Sequence, residues 1–308
     1  MRSLSSTLVS LTVVTVACLI VSPPANSVLV VDGLFMLKND HGARASGMGA
    51  AVVAIGSDAN GIAYNPAAAV GLDKFTASFG HTVHWENIRM ESAFFGTGLS
   101  TNLYLHGGIR YGAADDIEKR GTVPTADPEA LFDAHDISFK AGLAYRVSPR
   151  YSVGAAMGWF IEEIEGYRGS AFNIDLGAQA KINQQINLGA SVTNLGSSFT
   201  ITKANQRGSN DIPLPTAWRV GGSYLYRSYY RGALELVYAD DEMHAHFGAE
   251  AQLHKMLDLR TGYMAGYDTK NFTAGTSFRY RNIVIDYAFV PFTSNLGTSH
   301  LFNITFSL

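Results

Sequence analysis

The feature that most constrains this chain is an alternation of apolar and polar residues, with period two, recurring in segments about ten residues long. It is cleanest at the C-terminus, where Phe302, Ile304, Phe306 and Leu308 alternate with Leu301, Asn303, Thr305 and Ser307. Tyr151, Val153, Ala155, Met157, Trp159 and Ile161 do the same against Ser152, Gly154, Ala156, Gly158, Phe160 and Glu162. Successive side chains of a strand point to opposite faces, so each segment has one greasy face and one small or polar face. Strands are expected at 75–84, 88–97, 102–111, 137–146, 151–161, 171–182, 185–194, 217–226, 230–239, 244–254, 256–264, 271–280, 282–290 and 298–308, fourteen in all. About ten residues is what a tilted strand needs to cross a bilayer, and an even count suits a single-chain bacterial barrel.

The joints between strands support the same reading. Those after even strands are short: 98–101, 147–150, 183–184, 227–229, 255 and 281. Those after odd strands are longer, at 112–136, 162–170, 195–216, 240–243, 265–270 and 291–297, apart from the first at 85–87. Short periplasmic turns and long external loops mark outer-membrane barrels. A soluble sandwich has no reason for this asymmetry, and its second face would be polar rather than rich in Gly and Ala. Tyr111, Tyr145, Tyr151, Trp218, Tyr226 and Tyr263 fall near strand ends on the apolar face, where aromatic girdles sit. The expected fold is therefore all-β: a 14-stranded antiparallel transmembrane β-barrel.

The first residues read as a targeting segment. Arg2 is the only charge before Asp32, the apolar stretch Leu8–Val21 follows it, and Pro23, Pro24 and Ala25-Asn26-Ser27 close it. This is a signal peptide, 1–27, because the apolar run is shorter than the roughly 20 residues of a membrane helix. Cys18, the only cysteine, lies within it, so the exported chain has no disulfide and no thiolate chemistry. Localisation in the Gram-negative outer membrane follows. With 23 Lys+Arg against 26 Asp+Glu the net charge is -3, which gives no basic surface for nucleic acid.

Between the signal and the first strand, Gly42–Leu72 reads GARASGMGAAVVAIGSDANGIAYNPAAAVGL. It is Gly/Ala-rich and mildly apolar, unlike a polar tail. The domain division expected is 1–27 signal peptide, 28–72 N-terminal segment with a hatch inside the lumen, and 73–308 barrel. Parity turns His106, Arg110, Lys140, Arg146, Asp175, Lys181, Arg219, His246, Glu250, Arg260, Arg279 and Asp286 toward the lumen. Both signs are present, which fits ion pairs bracing a hatch better than an ion-selective pore.

No P-loop, zinc spacing or nucleophile elbow occurs, so no enzyme activity, cofactor or metal is expected. His244, His246, Glu250 and His254 share one face of an expected strand. Alternate residues there stand about 7 Å apart, which suits a polar lumen wall better than a metal site.

The run Gly42-Ala43-Arg44-Ala45-Ser46-Gly47-Met48-Gly49-Ala50-Ala51, then Ala54, Asp58-Ala59 and Tyr64-Asn65-Pro66-Ala67, resembles the PorV/PorQ family of outer-membrane proteins. That family is itself similar to FadL-type transporters of hydrophobic compounds. Gly166-Tyr167, Phe172–Gly177, Leu188–Gly196, Leu214-Pro215, Asp286–Phe292, Leu296-Gly297 and His300 follow in matching order. The resemblance covers nearly all of the chain after the signal. It implies that Tyr64, Asn65, Pro66 and Ala67 belong to the hatch that plugs the barrel. It also implies passage or binding of hydrophobic small molecules across the outer membrane. Some PorV-like members instead serve type IX secretion, and the alternative is a secretion or surface-assembly component that binds proteins through its external loops. Partners expected are outer-membrane lipid, the barrel-assembly machinery during insertion, and either hydrophobic small molecules or secretion-system proteins. Loops 112–136 and 195–216 would frame the outer opening, with Leu131, Phe132, Phe199, Ile212 and Leu214 as their apolar contacts.

Overall fold

Alternation of this kind has no stable outcome as a flat sheet, because the edges stay unpaired. The chain resolves this by closure. The structure, a computed structural model, describes residues 34–56, 58–72, 74–84, 88–121, 125–203, 206–207, 212–293 and 296–308; the expected signal peptide lies outside them. The strands are β1 Thr76–Val83, β2 Arg89–Gly98, β3 Leu103–Lys119, β4 Ala130–Arg146, β5 Tyr151–Ile164, β6 Tyr167–Lys181 and β7 Ile186–Gly196. A small hairpin, β8 Thr202–Lys203 and β9 Gln206–Arg207, follows. Then come β10 Ala217–Tyr226, β11 Tyr230–Ala239, β12 Glu242–His254, β13 Leu257–Ala265, β14 Phe272–Tyr280, β15 Ile283–Pro291 and β16 Thr298–Ser307.

Leaving out β8 and β9, fourteen strands form the wall, each antiparallel to its neighbours. β7 pairs with β10, and β1 pairs with β16 from Thr76↔Ser307 to Val83↔His300, which closes the barrel. The small hairpin hangs on β6 through Arg168↔Thr202.

The side-chain alternation is as the sequence prescribes. Phe79, Phe139, Met157, Trp159, Val220, Leu234 and Phe302 are exposed on the outer face, while Ser78, Ser138, Asn173, Glu235 and Asn303 are buried on the inner one. An uncharged apolar band outside and polar groups inside make this an outer-membrane barrel. The expected girdle residues, Tyr111, Tyr145, Tyr151, Trp218, Tyr226 and Tyr263, all face outward.

Two expected loops are mostly strand. The stretch 112–136 continues the β3–β4 ladder out to Lys119↔Ala130, leaving 120–129 as the loop. Beyond the bilayer an antiparallel ladder is held by backbone hydrogen bonds and polar pairs such as Arg89–Asp115 and Lys119–Glu165, so no apolar face announces it. About seven residues per strand rise above the rim, on the order of 20 Å. A register shift between Ala114 and Ile117, with Asp116 at φ 56°, absorbs the twist. Likewise 162–170 contracts to the two-residue turn Glu165-Gly166, at φ 52° and 78°, the geometry of a tight hairpin.

Candidate functional site

The lumen is occupied by residues 34–56 and 58–72. They form short helices at Phe35–Lys38 and Ala43–Gly47, then 3-10 turns at Asn60–Ala63 and Pro66–Gly71. The last turn shows why Asn-Pro-Ala stands there. Asn65, in extended conformation, caps the turn by accepting the Ala67 N–H at 3.0 Å, and Pro66 supplies the first position without needing a donor. The Asn65 amide then donates to Val53 O at 2.8 Å and to Ala178 O of β6 at 3.1 Å, tying hatch to wall.

The wall makes room for this segment with glycine pairs. Gly154 and Gly177 are cross-strand partners, and a Cβ on either would collide with Asn65, Pro66 or Ala67. Gly189 and Gly221, also partners, clear space for Val53. Gly248 and Gly262 do so for Met48 and Gly49. Backbone thus lies directly on backbone at three seats around the wall.

Tyr64 stands at the centre of the plug. Its hydroxyl donates to His41 O at 2.9 Å and accepts the His41 N–H at 3.0 Å. Its ring stacks on His41 at 4.6 Å, and the Arg219 guanidinium lies 5.2 Å from its centroid. Ser191 of β7 donates to Tyr64 O at 2.7 Å.

The lumen-facing charges fall into separate groups. Arg219 pairs with Glu235 at 3.0 Å, and the other oxygen of Glu235 accepts the Val53 N–H at 2.8 Å. Glu250 receives a bidentate Arg44 of the hatch and Arg260 at 2.7 Å; Arg260 continues to Asp286 at 2.9 Å. Arg279 pairs with the buried Asp258 beside that network. Lys140 and Asp175 bond to one another, not to the hatch. Lys140 reaches both Asp175 oxygens at 2.8 and 2.6 Å and Asn194 Oδ1 at 2.8 Å. Asp175 also accepts the Asn194 N–H at 2.7 Å. This group secures the wall where the β6–β7 register shifts and Asn194 takes φ 57°.

Arg110 donates to Met36 O at 3.1 Å and lies 3.2 Å from His41 Nδ1. His246 Nε2 lies 2.9 Å from the Tyr267 hydroxyl. Arg146 donates to Val70 O, whereas Lys181 is exposed at the rim. His244 stacks on Tyr267, and His254 is exposed beyond a register shift after Gln252 that breaks the parity. Among the described residues no three His, Cys, Asp or Glu side chains group as metal ligands.

Sequence parity alone passed over four acids. Glu235 and Asp258 are the partners of Arg219 and Arg279. Glu162 and Asp136 accept the Leu34 and Met36 N–H groups at 2.9 and 3.4 Å, at the start of the first helix, where a negative charge is favoured. For two of them a signal existed: Glu235 in Ala233-Leu234-Glu235-Leu236-Val237 and Asp258 in Met256-Leu257-Asp258-Leu259 are lone acids in apolar segments.

At the outer rim Lys38 pairs with Asp240 at 3.4 Å and Asp40 with Lys270 at 2.8 Å. Burial works against the Asp40 carboxylate, but Lys270 and neighbouring cations outweigh it and hold its pKa well below the usual range. Here the mouth is sealed by apolar packing. Leu34, Met36 and Leu37 join Met90, Phe160 and Ala171 of the wall and Phe199 and Leu214 of the β7–β10 connection. Phe35, Ile201 and Ile212 pack around them. Leu131, in contrast, is exposed on the β4 arm, away from this cluster, because that arm is strand rather than folded loop.

With this geometry in hand, comparison with solved structures is informative about the fold. The Ralstonia pickettii toluene transporter TbuX matches with a TM-score of 0.59 at 14% identity, over 86% of this chain and 96% of that one. The Pseudomonas putida toluene transporter TodX gives 0.61 at 12% identity, over 86% and 96%. A Pseudomonas aeruginosa FadL homologue gives 0.56 at 10% identity, over 87% and 98%. The chain therefore has the fold of FadL-type barrels. No protein-family model and no curated protein sequence matches it.

Proposed function

We propose that this barrel admits hydrophobic small molecules at the cell surface and passes them across the outer membrane, as a PorV/PorQ-type relative of the FadL-like channels. The observation that carries this reading is the apolar seal of Leu34, Met36, Leu37, Phe160, Phe199 and Leu214 at the outer mouth. A polar solute gains nothing by parting such a cluster. An apolar one replaces the contacts that it displaces, which is how apolar sites with a few polar groups select their ligands. Under the seal, the hatch blocks free diffusion. The fold neighbours named as toluene transporters support the same class of cargo.

The deciding experiment is purification in mild detergent with extraction of copurifying molecules. A bound hydrocarbon or fatty acid without stoichiometric protein partners is expected. Stable envelope-protein partners with an empty lumen would overturn the reading in favour of a secretion role. As a second measurement, the paired change Phe199→Asp and Leu214→Asp should lower hydrocarbon uptake by cells at least tenfold while barrel insertion is kept.

A further inference from the structure

Between the hatch and the periplasmic ends of β10–β16 lies a cavity of about 330 Å3. Its charges are layered. The carboxylates of Glu250, Asp258 and Asp286 lie deepest, at 10%, 0% and 7% exposure. Each is already covered: Glu250 by Arg44 and Arg260, Asp286 by Arg260, and Asp258 by Arg279 with Arg260 at 3.5 Å. Arg231 is held more loosely, in an ion pair with Glu250. Its Nε stands 3.6 Å from Glu250 Oε1, outside hydrogen-bond reach, and donates to no acceptor among the described residues. Asp58, the remaining acid of the lining, accepts instead from the Asn60 N–H at 2.9 Å and the Asn60 amide at 3.2 Å.

Four guanidiniums thus line the cavity with four carboxylates, Asp58 being held by Asn60, and two of the guanidiniums stay partly open to the space. Arg279 is 36% exposed and Arg231 18%, above acids that are almost wholly covered. The planar guanidinium fork matches the paired oxygens of a carboxylate or phosphate. Leu225, Tyr229 and Val284 add an apolar side to the same space.

We infer that this periplasmic vestibule is an anion site that takes a phosphate or carboxylate group, held by Arg231 and Arg279 with Arg44 behind them. The volume is that of a small-ligand site. The apolar side suits an anion carrying a hydrocarbon part. The group can come from a free anion or from a lipid headgroup. The site rests on the cavity alone, so a barrel that binds phosphate yet moves no hydrocarbon would keep it and lose the transport reading.

The test uses the whole barrel in an uncharged detergent. Inorganic phosphate is titrated calorimetrically at constant ionic strength with chloride as the balancing anion, and phosphatidylglycerol retention is measured against phosphatidylcholine. Saturable phosphate binding at one per barrel is expected, weakened at least tenfold by Arg231→Gln, partly restored by Arg231→Lys, and unchanged by Lys255→Gln in an exposed turn. Selective retention of phosphatidylglycerol, lost in Arg231→Gln, would support the same site and assign the lipid as source. No saturable phosphate binding together with no lipid selectivity would overturn the inference. So would wild-type binding in a folded Arg231→Gln barrel, with folding checked by heat-modifiable migration.

Discussion

Arg44 of the hatch and Glu250 of the wall, 206 residues apart in sequence, meet in a bidentate ion pair with both contacts at 3.0 Å. Planar pairing of this kind fixes orientation as well as distance. It holds the Ala43–Gly47 helix against β12, and Arg260 extends the hold to β15 through Asp286. Removing Glu250 leaves Arg44 enclosed without its partner, a change that costs about 3–5 kcal/mol for a buried pair, whereas removing Arg44 leaves Glu250 still paired with Arg260 and costs less. Arg44→Gln or Glu250→Gln should therefore loosen the hatch and raise small-solute conductance in planar bilayers, without reducing insertion.

Charge removal elsewhere in the lumen should sort by what each group touches. Arg219→Gln frees Glu235, which accepts the Val53 N–H, and Asp286→Asn weakens the Arg260 bridge, so both should leak. Arg279 pairs with Asp258, a wall residue, so Arg279→Gln should keep wild-type conductance. Equal leak from all three in single-channel recordings would show that these charges act only on the field of the pore.

The glycine seats give a steric test. Gly154→Val or Gly177→Val forces side-chain atoms into Pro66 and Asn65, and overpacking typically costs about 1–3 kcal/mol. The hatch corner should lift and conductance rise. Gly232→Ala is the matched control, since nothing lies within 4 Å of its added Cβ.

Asn65→Ala removes the turn cap and both amide donors. Losing the cap alone costs roughly 0.5–2 kcal/mol. Deleting Asn65–Ala67 goes further and should open a measurable conductance. An unchanged recording after that deletion would argue that these residues do not plug the pore.

His84 lies just beyond β1, its Nδ1 hydrogen-bonded with Ser299 Oγ and its ring edge-on to Phe35 at 5.2 Å. Burial, with Lys270 adding to it, pushes its pKa down to about 4. An unfolded histidine takes its proton near 6.5. The neutral ring therefore contributes stability in full above about pH 6.5, and this is lost as the pH falls toward 4. A histidine NMR titration of the folded barrel should show a midpoint near 4; a midpoint near 6.5 would mean that the ring is solvated.

Most of the wall was legible because a barrel's solution to its edges is written as alternation. Phe302 and Asn303 declare opposite faces without any knowledge of their neighbours. Legibility ended where the bilayer ended. The outer parts of β3 and β4 need no apolar face, and nothing in Asp115-Asp116-Ile117 distinguishes ladder from loop. Parity also placed Arg219 and Glu250 in the lumen but gave no partners, since Arg219–Glu235 depends on the β10–β11 register and Arg44–Glu250 joins distant segments. The glycine seats were invisible for the same reason. Gly154 and Gly177 become a pair only through the β5–β6 register.

The three seats run backwards around the wall relative to the chain. Met48 and Gly49 rest on β12 and β13, Val53 on β7 and β10, and Asn65 to Ala67 on β5 and β6. The hatch is synthesised before any of these strands, yet the first seat it occupies is built from some of the last. The β5–β6 seat for Asn65 to Ala67 exists early, but the hatch cannot take all three seats until β12 and β13 are in place, and contacts this distant in sequence form slowly. Full docking of the hatch is therefore a late step of assembly, timed by β12 and β13 rather than by the order of synthesis.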